Sequence, residues 1–140
     1  MKSLALLAAG ALLAGTAAFA DTMSTNGQPM MTIPASSVTV TDWYKQDVYD
    51  PNNNKIGQIS DVLMSTDGHV NAVIVGVGGF LGVDQKDVAV DFGAIKQSIK
   101  DGKVHLTMNA TKDALKSAPG FKYDSTTTTW VPDTSKAAGK

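Results

Sequence analysis

The sequence predicts a mainly β protein: a small barrel or closed sheet of five or six short strands with one or two short helices, flanked by disordered N- and C-terminal tails. Three observations predict it. Turn chemistry recurs at short intervals, at Asp50-Pro51-Asn52-Asn53-Asn54, at Asp67-Gly68 and at Asp101-Gly102. The segments between these turns alternate apolar with polar residues or run β-branched. Only one segment carries a full set of helix signals.

Residues 1–20 read as a secretory leader: Lys2, an apolar run from Leu4 to Ala14, then Gly15 to Phe19 and small residues at Ala18 and Ala20. That run is shorter than the roughly 20 residues a spanning helix needs, so cleavage is expected between Ala20 and Asp21, with no stable membrane insertion once the leader is removed. Residues 21–37, polar and interrupted by Pro29 and Pro34, read as a linker. The domain is expected at 38–123 and a flexible tail at 124–140, where Trp130 is the one residue that argues for docking.

Within the domain, Gln46 to Tyr49 reads as a first short strand. Lys55 to Met64 alternates, and Asp67-Gly68 joins it to His69–Val77 as an antiparallel hairpin. Val73-Ile74-Val75 is apolar on both faces, which suits a strand covered on both sides. Asp87 to Asp91 is a further strand, and the spacing of Phe92, Ile95 and Ile99 allows about two helical turns over Phe92 to Lys100. Val104, Leu106 and Met108 alternate with His105 and Thr107 in another strand. Thr111 caps Lys112 to Ser117, Asp113 suits the first turn, and Pro119-Gly120 ends the helix.

Composition narrows the function classes. There is no cysteine, so disulfides, thiol catalysis and thiolate metal sites are excluded. Neither arginine nor glutamate occurs; without the leader, eleven lysines face thirteen aspartates, a net charge of −2. No guanidinium fork and no basic excess are available for phosphate or base edges, so nucleic acid is not an expected partner.

Three motifs resemble chemistry. Gly76, Gly78, Gly79 and Gly82 follow an apolar strand, but position six of a dinucleotide fingerprint is Leu81, and Val88-Ala89-Val90 beyond it has strand character. The loop is therefore read as a strand-to-strand connection. Asp50, Asn52 and Asn54 supply oxygens at calcium-loop spacing, but Lys55 stands where glycine belongs and Asp61 where a bidentate glutamate belongs, so a solvated turn is preferred to an ion site. His69 and His105 share no zinc or triad spacing, and no GxSxG occurs. No catalytic, cofactor or metal residues are assigned.

The order of parts, Ile56-Gly57-Gln58-Ile59-Ser60-Asp61-Val62-Leu63, then Asp67-Gly68, then Ala72-Val73-Ile74-Val75-Gly76-Val77-Gly78-Gly79-Phe80-Leu81-Gly82, then Lys86-Asp87-Val88-Ala89-Val90 and Thr111 to Leu115 with Ala118-Pro119, resembles the PRC-barrel family in a small exported bacterial form. The resemblance covers about Tyr44 to Tyr123. It implies a small β-barrel of the kind found in the photosynthetic reaction-centre H subunit and in the ribosome maturation factor RimM, where it serves assembly without shared catalytic residues.

The expectation is thus an exported, periplasmic or secreted, non-catalytic interaction or assembly module without a cofactor, whose partner is another protein or a second copy. The alternative is a small ligand- or calcium-binding barrel with the Asp50 turn as ion site. The expected contact surface is Trp43 and Tyr44 at the start of the domain and Phe80 and Leu81 in the glycine loop, with Phe80 alternatively a plug at one end of the barrel.

Overall fold

A computed structural model describes residues 27, 29–79 and 84–136. The compact unit is Ser36–Lys140; residues 29–35, outside it, hold no helix or strand. The leader with its Ala20–Asp21 junction, and Phe80 and Leu81, lie outside the described residues.

In chain order the unit contains a one-turn helix α1 (Val40–Trp43), β1 (Asp47–Tyr49), β2 (Lys55–Met64), β3 (Val70–Val77), β4 (Lys86–Asp91), a 3-10 turn at Phe92–Ala94, β5 (Ile95–Lys100), β6 (Lys103–Met108), α2 (Lys112–Ser117), β7 (Phe121–Asp124) and β8 (Thr129–Pro132), with a second 3-10 turn at Thr134–Lys136. The strands form one sheet in the order β5-β6-β1-β2-β3-β4-β7-β8. The protein is mainly β as expected, with eight strands among the described residues instead of five or six.

Two expectations are corrected. Phe92 to Lys100 is not helical: after the 3-10 turn it is strand β5, paired antiparallel with β6 from Ile95↔Met108 to Lys100↔Lys103. The spacing of Phe92, Ile95 and Ile99 fits a helix, but Ile95, Gln97 and Ile99 also fit a strand, and the Asp101-Gly102 turn supplies the partner. Both turn residues have positive φ, 52° and 73°, as the tight hairpin requires. The C-terminal stretch is not wholly irregular either, because β7 and β8 pair from Phe121↔Pro132 to Asp124↔Thr129.

β1, β2, β3, β4, β6 and α2 fall close to where the sequence puts them, whereas the one-turn helix α1 has no counterpart among the expected elements. In α2, Thr111 Oγ1 accepts the Ala114 N–H at 3.1 Å, and Asp113 stands in the first turn. β2 and β3 pair antiparallel, with the Ser65 N–H donating to the His69 carbonyl at 2.8 Å across the turn. The glycine loop joins antiparallel strands β3 and β4, not a strand to a helix.

The sheet is bent back on itself without a ladder to close it. Asp91 and Ile95 are four residue steps apart, a reach of about 14 Å at most. Five strand spacings would put β4 and β5 roughly 24 Å apart in a flat sheet. The 3-10 turn at Phe92 therefore brings the ends of β4 and β5 together, and the barrel expected from the sequence takes the form of a strongly bent sheet that no ladder among the described residues closes: β4 takes β7 as its second neighbour, Asp87 opposite Phe121, and β5 is an edge.

One core fills the bend. Val48, Ile56, Ile59, Val73, Val75, Val77, Val88, Leu106 and Leu115 belong to it, with Trp43 and Ile95 beside Phe92. Each buried Val, Leu or Ile contributes on the order of 2 kcal/mol. Val73, Ile74 and Val75 are all fully buried, so β3 is covered on both faces as its β-branched run predicts. Ile74 faces away from the main core; its register partner is Asp61, and Asp61 receives the Trp130 indole from β8.

Candidate interaction surface

The backbone around α1 sends two adjacent aromatics in opposite directions. Lys45 has φ 64°, its N–H donates to the Ile59 carbonyl at 3.0 Å, and the Gln46 N–H donates back to the Trp43 carbonyl. This turn pins Trp43 inward at 2% exposure, stacked on Phe92 at 4.8 Å between centroids, with its indole N–H donating to the Gln97 side-chain oxygen. Trp43 is therefore a core residue and not a surface contact, since the site it would offer a partner is filled by Phe92 and Gln97. Tyr44 points out, 51% exposed.

Beside Tyr44 lies a residue the sequence reading missed. Ile99 on β5 is 65% exposed, and with Tyr44, Gln46, Lys103 and Val104 it lines a groove of about 530 Å³. Reading Phe92 to Lys100 as helix hid it. The signal was present, because Ile95 to Leu106 repeats the alternation around an Asp-Gly pair that identified β2 and β3.

Register fixes what the β5 edge displays. Lys100 and Lys103 flank a two-residue turn, so they form a hydrogen-bonded pair, as do Ser98 with His105 and Lys96 with Thr107. The backbone groups of Ile95, Gln97 and Ile99 then point away from β6. Ile95 agrees, since its N–H donates to the Phe92 carbonyl. Every β5 residue after Ile95 is exposed.

The side chains with catalytic potential are bound into local structure. Asp50 Oδ1 accepts the Asn52 and Asn54 N–H groups at 2.9 and 2.8 Å, and Oδ2 accepts the Asn54 amide at 3.0 Å. These bonds, the Asn54 side chain first, hold the Asp50 carboxyl below the usual carboxylate range and direct its oxygens into its own turn. The His69 imidazole faces the exposed Asp67, Nδ1 to Oδ2 3.2 Å, while His105 stacks on Tyr49 at 4.7 Å. Among the described residues no three histidine or acidic groups converge on a metal position.

One half-buried polar cluster sits where β2 bulges. The register passes from Ile59↔Val75 to Asp61↔Ile74, leaving Ser60 as the extra residue. The Ser60 hydroxyl and the Gln85 amide donate to Asp87 Oδ1 at 3.0 and 2.9 Å. The Ser60 hydroxyl also accepts the Gln85 amide at 3.4 Å, so Ser60, Gln85 and Asp87 form one hydrogen-bonded group. The cluster ties β2 to β4.

The fold is thus that of a small, strongly bent, mainly β module with exposed apolar side chains at a strand edge that no other described strand covers. A family model for the PRC-barrel domain matches residues 36–115, more than half of the chain, and the chain belongs to that family. The match ends within α2, so the β7–β8 hairpin lies beyond it. Comparison with curated proteins gives no match.

Proposed function

We propose that this protein is an exported, non-catalytic PRC-barrel module that works by holding another protein. The observation that carries the reading is the groove beside the free β5 edge, where Tyr44 and Ile99 remain exposed although the same sheet fully buries Ile56, Ile59 and Leu106. Folding does not require these two side chains at the surface, and a partner that covers them gains their transfer from water.

Export rests on the leader pattern at residues 1–20, and mass analysis of protein recovered from the periplasm or medium tests it: a chain beginning at Asp21 is expected. For the interaction, crosslinking in the intact cell followed by identification of the adduct is the test. A recurring protein adduct is expected. Recovery of the monomer alone under conditions that trap known periplasmic complexes would remove the reading.

A further inference from the structure

The β5 edge carries more information than an apolar patch. Its backbone offers the N–H and C=O groups of Gln97 and Ile99 on the side away from β6, and no other described strand uses them. One face of the β5–β6 hairpin places Lys96, Lys100 and Lys103 together; the other face ends in Ile99 next to Tyr44. Among the described residues none of the three lysines has an ion-pair partner. Asp47 on the neighbouring β1 is committed to Lys55 at 2.8 Å, and Asp101 sits in the turn itself.

We propose that β5 receives an extended segment of a partner protein as an additional strand, and that this segment alternates acidic with apolar side chains. The proposal rests on the module reading above and specifies the partner's chemistry. A strand added to the edge continues the pleat, so its successive side chains fall on opposite faces. Acidic side chains then lie against Lys96 and Lys100, and apolar ones against Ile99 and Tyr44. Lys100 and Lys103 stand directly opposite each other, a like-charge pair that a neighbouring carboxylate relieves.

Charge also selects among occupants. Lysines commonly blunt sheet edges, and here they act against a second copy: β5 paired antiparallel with itself brings Lys96 and Lys100 of both chains onto one face. An acidic strand meets the reverse situation, so the same residues repel one occupant and attract the other. The contact is short, which makes the complex weak and sensitive to salt.

The test titrates a synthetic peptide of about eight residues alternating Asp and Val into the purified protein at low salt, followed by backbone amide NMR. The expected result is that the Gln97 and Ile99 amides shift and gain protection from solvent exchange, while a Lys-Val peptide of equal length does not bind. Lys96→Gln with Lys100→Gln should weaken binding by about tenfold with an unchanged melting temperature. Ile99→Pro should abolish it, because it removes an N–H that β6 does not use. If that variant does not fold, the lysine pair still decides. Equal binding of both peptides, no binding, or shifts confined to another surface would overturn the proposal. A protein adduct trapped in cells would then leave the module reading standing, whereas its absence would remove that as well.

Discussion

The indole Nε1 of Trp130 donates to Asp61 Oδ2 at 2.8 Å, joining residues 69 apart in the chain. Asp61 follows the β2 bulge and faces Ile74 in register, and its other oxygen accepts the Val62 N–H at 2.8 Å. Beyond the β4–β7 pairing, a side chain from β8 therefore ties the C-terminal hairpin to β2 beside the outer face of the central strand. Tyr123 packs edge-on against the same indole at 6.0 Å.

Trp130→Phe keeps most of the apolar contact and removes the donor. Both groups are half-buried, so a loss of about 1 kcal/mol is expected, a fall of roughly 4–8 °C in melting temperature. Thermal unfolding by circular dichroism measures it; an unchanged midpoint would mean that the Trp130–Asp61 hydrogen bond contributes nothing to the stability of the domain.

Trp43 and Tyr44 provide a contrast between neighbours. Trp43→Ala empties a core site and is expected to cost about 3–5 kcal/mol, enough to unfold a marginal domain. Tyr44→Ala should stay within about 0.5 kcal/mol. Chemical denaturation of the two variants side by side checks the difference.

Gly57 and Gly76 occupy adjacent strands with different tolerances. A Cβ on Gly57 would stand 2.5 Å from Val75 Cγ1 and 2.8 Å from the Gly76 carbonyl oxygen, and that backbone is held by the ladder. A Cβ on Gly76 would meet the Gln85 amide nitrogen at 2.2 Å, the end of a side chain that can swing away. Gly57→Ala should therefore destabilise by about 1–3 kcal/mol, and more than Gly76→Ala, whose main effect is loss of the Gln85–Asp87 bond.

Three aspartates in turns and at a strand end contribute to the acid limb of stability. Asp50 is lowered by the Asn54 side chain, Asp67 by the Ser65 hydroxyl and then His69, and Asp124 by the Thr126 N–H and then the Thr127 hydroxyl, all from an ordinary value of 3.8. A depressed pKa favours the folded state when the group is ionised. Their contribution is thus complete above the unfolded value and lost as pH falls through the lower folded values. Melting temperature should show no change from these groups between about pH 5 and 8, and should decline below about pH 4; Asp50→Asn should make that decline shallower.

Local pattern made some elements legible and hid others. β2, β3 and α2 follow from alternation, the Asp67-Gly68 turn and the Thr111 cap, all short-range signals. β5 was ambiguous because Phe92, Ile95 and Ile99 satisfy a helical period and Ile95, Gln97 and Ile99 a strand period; pairing with β6 decides between them. β8 was hidden because Ser125 to Thr128 carries no apolar pattern, and its anchor lies far away on Asp61. Of the expected contact residues, Tyr44 is exposed and Trp43 is not. No composition signal separates these neighbours; the left-handed backbone at Lys45 does. Ile99 entered the surface only once β5 was a strand.

The central claim, that the Tyr44–Ile99 groove holds a partner protein, is tested most directly by Tyr44→Ala combined with Ile99→Ala in the cell. Both side chains are more than half exposed, so the melting temperature should move by only a few degrees while the crosslinked adduct disappears. An adduct formed in undiminished yield by this folded double variant would contradict the account.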